Sequence, residues 1–180
     1  TEEEVETTTP PQPKYQVLIV EDHKDTRTFL KLQLADDYTV HLAKNGQEGL
    51  EKARKILPDV IVTEAELSVI DGFELTRLIK ADADMCHIPI VLMTTLTDNE
   101  DIIKGMELGA DDYIRKPYDV EVLKSKVKRL IKNRIELKRA YTKLLIPVSE
   151  TDNETSMNEP MEKDNMEDPL ITKVIKLVND

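Results

Sequence analysis

PDVIVTEAELSVIDG, residues 58–72, is the stretch from which the rest of this chain is understood. Val60, Ile61 and Val62 form a continuous apolar run, too short for a helix and rich in β-branched residues. Such a run predicts a strand buried on both faces, as in a parallel sheet. It stops at Thr63-Glu64, which places a carboxylate at the C-terminal end of a buried strand. Open α/β sheets carry their chemistry at that edge. Asp71-Gly72 then turns the chain into an amphipathic helix over 73–80.

The same alternation extends to both sides. Upstream, an apolar run over 16–20 ends in Glu21-Asp22, and a helix over 24–34 presents Phe29, Leu30, Leu32 and Leu34 as its apolar face. A second strand over 38–43 is broken by Asn45-Gly46. The helix over 47–56 follows, with Leu50, Ala53, Arg54 and Leu57 near helical spacing, and Pro58 stops it. Downstream, residues 88–93 read as a fourth strand with Pro89 at its entrance, where no ladder bond is lost. Asp98 caps a helix over 99–108 that Gly109 ends. Residues 112–114 are a short fifth strand leading into Arg115-Lys116-Pro117, and Asp119 caps a long helix from Val120. Five strands alternating with five helices predict an α/β domain with a doubly wound (βα)5 three-layer architecture, its five-stranded parallel sheet covered by helices on both faces.

The chain has 180 residues, 39% hydrophobic and 34% charged, which suits one soluble domain with flanking segments. A net charge of -11 excludes direct nucleic-acid binding by this fragment, since such surfaces are basic. No apolar run nears the roughly 20 residues that span a bilayer, so no membrane insertion is expected. The single Cys86 excludes an internal disulfide and a zinc cluster and is in keeping with a reducing, cytoplasmic compartment. Both chain ends read as cut from a longer polypeptide.

The predicted fold gathers several side chains at one rim. Strand one delivers Glu21 and Asp22, strand three Glu64, strand four Thr94 and Thr95, and the loop after strand five Lys116. Clustered carboxylates raise one another's pKa unless a cation neutralises them. Hard oxygen donors suit Mg²⁺, and a lysine with a hydroxyl suits a phosphoryl group. Read plainly, Glu21 and Asp22 cap the first helix and Lys116 neutralises an acidic cluster.

Five ordered motifs sharpen this. VLIVEDH, PDVIVTEAELSVIDG, PIVLMTTLTD, GADDYIRKPY and a final amphipathic helix resemble, over about residues 15–131, the receiver domain of two-component response regulators, a flavodoxin-like fold. The resemblance implies Asp22 as direct Mg²⁺ ligand, Glu21 as a water-mediated one and the Glu66 backbone carbonyl as a third. It implies Thr94 as the switch hydroxyl, Tyr113 as the aromatic that rotates inward with it, and Lys116 as the partner of the phosphoryl oxygens. A cis Lys116-Pro117 peptide is implied as well. The module would not be an enzyme by itself, and its partner would be a histidine kinase domain in the same polypeptide.

The pattern is broken at its centre. The family's phosphoacceptor is an aspartate, and position 64 is glutamate; Ser68 stands where proline is usual. The extra methylene moves the carboxylate by more than about 1 Å, and in-line transfer tolerates little displacement. Three readings stand open: Glu64 mimics the phosphorylated state, marks a phosphorylation-independent scaffold, or accepts phosphate poorly. Hydrolase and flavodoxin-like redox readings fail, the first on Glu64-Ala65-Glu66 and the second because Glu21-Asp22 would repel a phosphate.

Beyond the domain, Leu123, Val127, Leu130, Arg134, Leu137, Tyr141 and Leu144 repeat at alternating four and three spacing, a heptad seam with one charged interruption. The helix carries eight Lys/Arg against Glu121 and Glu136 between positions 120 and 141. The expected organisation is a linker over 1–14, a receiver over 15–131, a helical extension over 132–146, an acidic linker over 147–169, and the start of a helical, AraC-type DNA-binding domain over 170–180. Homodimers are expected through the face of the fourth helix, fifth strand and fifth helix, and through the extended fifth helix.

Overall fold

Strands β1 (Gln16–Val20), β3 (Val60–Glu64) and β4 (Ile90–Thr94) are dominated by aliphatic residues, and each sits between two others in the sheet, buried almost throughout. The computed structural model describes residues 14–95 and 99–145. Strands β2 (Thr39–Ala43) and β5 (Asp112–Arg115) form the edges and mix polar with apolar positions. The sheet is parallel throughout, in the order β2-β1-β3-β4-β5. This is the five-stranded parallel sheet that the alternation predicts, in the flavodoxin-like form that the resemblance implies.

Side chains alternate across the strands and so divide the core in two. Val17, Ile19, Val60, Val62, Val91, Met93 and Ile114 pack under helices α1 (Lys24–Leu34) and α5 (Val120–Leu145). Leu18, Val20, Ile61 and Ile90 pack under α2 (Gly46–Ile56) and α3 (Gly72–Ala81), while α4 (Asn99–Glu107) completes the set of five helices. Burying runs of this kind contributes about 1.5–3 kcal/mol per large aliphatic side chain.

Local chemistry sets the boundaries. Asn45 and Asp71 accept hydrogen bonds from the Glu48 and Glu74 amides and so start α2 and α3. Leu57 ends α2 in the left-handed region, φ 46°, before Pro58 forbids continuation. The predicted Asp98 cap lies outside the described residues. Strand β2 starts one residue later than expected, and β4 starts at Ile90 rather than 88. Both β3 and β4 run one residue further than expected, so Glu64 and Thr94 are themselves strand residues.

Two packing expectations need correction. On α1 only Leu30 and Leu34 reach the core, whereas Phe29 and Leu32 are exposed. The heptad seam also changes role along α5. Leu123, Val127 and Leu130 are buried against this domain's own sheet, so they do not face a partner helix. Arg134, the charged interruption, ties the helix to the underside of the domain: its Nη1 donates to the Pro58 carbonyl at 2.9 Å and to Asp59 Oδ1 at 3.3 Å. Asp59 Oδ2 in turn accepts from the Gln16 amide at 2.8 Å. Beyond Ile135 every described side chain of α5 is exposed. Among the described residues no helix is long and apolar enough to cross a membrane. Of the linker expected over 1–14 all but Lys14 lies outside the described residues, as do the linker over 147–169 and the helix start over 170–180.

Candidate functional site

Parallel register brings the C-terminal ends of β1, β3, β4 and β5 to one edge. Glu64 pairs with Met93, and Thr94 with Arg115. Three backbone bonds fix the loops that leave this edge: Glu21 N–H to Ala43 O at 3.1 Å, Ala65 N–H to Met93 O at 2.7 Å, and Lys116 N–H to Thr94 O at 2.7 Å. The Lys116-Pro117 peptide is cis.

At the centre Lys116 Nζ donates to Glu64 Oε2 and lies 3.2 Å from Glu21 Oε2. Glu64 is 5% exposed and Glu21 2% exposed, so both carboxylates are out of bulk water. Glu21 Oε1 also accepts from the His23 amide at 3.0 Å. Glu64 Oε1 is buried without a hydrogen-bond partner.

Burial is the main reason the Glu64 carboxyl sits above the usual carboxylate range. The hydrogen bond and charge of Lys116 pull it back, and the nearby Glu21 charge pushes it up again. Burial also works against the Lys116 ammonium. The hydrogen bond and charge of Glu64, then the charge and hydrogen bond of Glu21, outweigh it and hold the lysine above its ordinary value.

Thr94 is buried at the end of β4, and Tyr113, on β5, is 38% exposed. The two line one small cavity together with Ala65, Phe73, Leu92 and Met106. Tyr113 thus borders the cavity beside Thr94 and is partly exposed. Asp22 and Glu66 are exposed at the rim. The Glu66 side chain accepts from Thr95 Oγ1 at 3.3 Å, which links the loops after β3 and β4.

Other supports left no signal in the sequence. Arg27 Nη1 donates to the carbonyls of Glu21, at 2.6 Å, and Asp22, at 3.1 Å, and so braces the loop that carries both acids. The start of α3 crosses directly over the end of β3. A Cβ on Gly72 would overlap the Glu64 carbonyl oxygen, so only glycine fits there. On the other side of the domain, Asp112 accepts from Lys126 at 2.8 Å and Arg129 at 2.6 Å, joining β5 to α5.

The donor chemistry fits a hard divalent cation. Carboxylate oxygens are the right type, and buried Glu64 Oε1 lacks a partner that an ion would supply. Among the described residues, no group of three or more His, Cys, Asp or Glu side chains is arranged to enclose a metal ion. Lys116 already engages two of the acids.

Residues 17–128 match the family model of the response regulator receiver domain. A curated relative, histidine kinase P4 of Formosa agariphila, is 38% identical over 129 residues, 72% of this chain and 9% of that protein. The response regulator ArlR of Staphylococcus aureus is 36% identical over 118 residues, 65% of this chain and 52% of that one. Among solved structures, the signal receiver domain of a signal transduction histidine kinase from Syntrophus aciditrophicus aligns with a TM-score of 0.63 at 32% identity, covering 79% of this chain and 98% of that one. The receiver domain of the sensor histidine kinase PA1611 from Pseudomonas aeruginosa, solved with a magnesium ion coordinated in its active-site cleft, aligns with a TM-score of 0.62 at 28% identity, covering 66% and 98%.

Proposed function

This chain belongs to the response regulator receiver domain family, and from that premise we propose that it is a receiver whose conformation does not depend on phosphorylation. The observation that carries this is the Lys116 ammonium shared between Glu64 and Glu21. The extra methylene of Glu64 delivers its carboxylate to the lysine that would otherwise receive the phosphoryl oxygens. The pocket then has its charge balanced from within. The partnership of Lys116 with both Glu64 and Glu21 favours this self-neutralised scaffold over a full mimic of the phosphorylated state.

Toward a divalent cation, Asp22, Glu21, Glu64 and the Glu66 carbonyl are the residues that would hold it. When bound, the ion would neutralise carboxylate charge and polarise a phosphoryl oxygen. Arg27 and the Glu66–Thr95 bond keep the loops that carry these donors in place.

Similarity to receiver regions of histidine kinases supports a kinase in the same polypeptide as the partner; a cytoplasmic location and transcription as the output are part of the same proposal. An AraC-type domain following residues 170–180 belongs to the same proposal.

The test is intact mass after incubation with Mg²⁺ and acetyl phosphate, with Glu64→Asp alongside. The expected result is a gain of about 80 Da, one phosphoryl group, in Glu64→Asp only. The same gain in the unaltered chain would overturn the proposal. Failure of Glu64→Asp to gain it would remove the reading of the pocket as a receiver site.

A further inference from the structure

The chain enters β1 beside the far half of α5, and the entry point is fixed. The Lys14 ammonium donates to the carbonyls of Ala35, at 3.1 Å, and Asp36, at 2.6 Å. The Tyr15 carbonyl accepts from the Thr39 amide at 2.9 Å. Helix α5 runs against the strands, so its second half comes down to this same edge, where Arg134 reaches Pro58 and Asp59 just ahead of β3. Between the two lies a groove with Tyr15, Tyr38 and Ile135 as apolar lining and Lys128, Lys132 and Arg139 along α5.

Those cations belong to a stripe. Lys128, Lys132, Arg139 and Lys143 are spaced by four, seven and four residues, which puts them on one face of the helix, and all four are exposed. The acids of the groove are Asp37 and Glu136, and Glu136 stands 3.8 Å from Lys132. Lys128, Arg139 and Lys143 have no ion-pair partner among the described residues. On a chain of net charge -11, such a concentration of positive charge suits an anionic cover.

We propose that the acidic segment over residues 1–13 lies on this stripe in its own chain. Glu2, Glu3, Glu4 and Glu6 are the only charged side chains of that segment, four carboxylates for four cations. Pro10-Pro11-Gln12-Pro13 leads directly to Tyr15, and proline-rich stretches pack in extended form on aromatic-lined grooves, here Tyr15 and Tyr38. Length agrees as well. Lys128 to Lys143 covers about 22 Å of helix, and residues 6–14 span at most about 30 Å, so Glu6 reaches any point of the stripe. The tether at Tyr15 favours the segment of the same chain over that of a second copy, which must be drawn from solution. Docked in this way, the segment ties the entry of β1 to the end of α5.

Paramagnetic relaxation in the full chain tests this. A nitroxide is attached at Thr7→Cys in a Cys86→Ser background, and amide broadening is read at about 0.15 M salt. Broadening is expected over Lys128–Lys143 and not at the Glu64 edge of the sheet. Lys132→Glu with Arg139→Glu should reduce it at least ~5-fold, since each exposed pair is a factor of roughly 1.5 to 5, with an unchanged circular dichroism spectrum. Changing Glu2, Glu3, Glu4 and Glu6 to lysine in that variant should restore it. Salt at about 1 M, where charges act over roughly 3 Å, should release the segment. Broadening that ignores the α5 substitutions, ignores salt, or spreads evenly over the domain would overturn the proposal. Equal broadening of an isotope-labelled, nitroxide-free chain mixed with a nitroxide-bearing one would also overturn it, by assigning the segment to a second copy.

Discussion

Lys116 and Glu64 are hydrogen-bonded to each other at the floor of the acidic rim, and the same ammonium lies 3.2 Å from Glu21. One cation thus serves two buried carboxylates. Removing it leaves both without a cation, with only the His23 amide still bonded to Glu21, whereas removing one acid leaves a simple pair.

Lys116→Met should therefore destabilise the domain by about 2–4 kcal/mol, less than a wholly enclosed pair because the lysine is partly exposed. Adding Glu64→Gln should recover part of the loss, so the two changes will be non-additive. Urea unfolding of the two single variants and the double variant measures both effects.

The pH dependence has a definite sign. The folded Glu64 carboxyl binds its proton more tightly than the unfolded one. Its contribution is fully present below the unfolded value of about 4.3 and is lost as pH rises through the elevated folded value. Asp112, whose burial is outweighed by Lys126, the Tyr113 amide and Arg129, is shifted downward and acts in the opposite sense: its contribution is lost as pH falls. Subtracting the stability profile of Glu64→Gln from that of the unaltered chain isolates the first group. The difference should decline from acid toward neutral pH. A flat difference would show that burial does not perturb Glu64.

Gly72→Ala should cost about 1–3 kcal/mol, the usual range for forcing a group into a filled site. The added methyl overlaps the Glu64 carbonyl, so the strain falls on the strand end that carries the site. Thermal unfolding gives the cost. The Glu64 and Ala65 amide resonances should move more than those of β2.

Arg134→Ala removes bonds to Pro58 and Asp59 while leaving Gln16 bonded to Asp59. A loss of about 1–2 kcal/mol is expected from two hydrogen bonds, one of them charged at both ends. Hydrogen exchange should quicken over residues 132–145 and stay unchanged in β1.

Much of this was legible in residue order. Val60-Ile61-Val62 announces a doubly covered strand because few other elements accept so short and so apolar a run. The acids at 21, 22 and 64 reach one edge because parallel strands all point the same way. The contact of Lys116 with Glu64, 52 residues away, agrees with the plain reading of that lysine as neutraliser of the acidic cluster; that it is shared with Glu21, while Asp22 lies exposed at the rim, was not legible. Phe29 and Leu32 were misread because periodicity marks an apolar stripe without fixing its width. The heptad at Arg134 misled for a related reason. A seam is written identically whether the surface covering it belongs to the same domain or to another helix.

The strand order has a consequence for the chain while it is being made. β1 lies between β2 and β3, so the first strand of this domain cannot finish pairing until residues 60–64 have followed it. With β1, α1 and β2 already emerged, the Val17–Val20 run still presents an unpaired edge. At roughly 5–20 residues per second, that edge stays open for a second or more. During this interval the nascent protein is most exposed to strand-to-strand capture by its neighbours, and a chaperone would have most to shield.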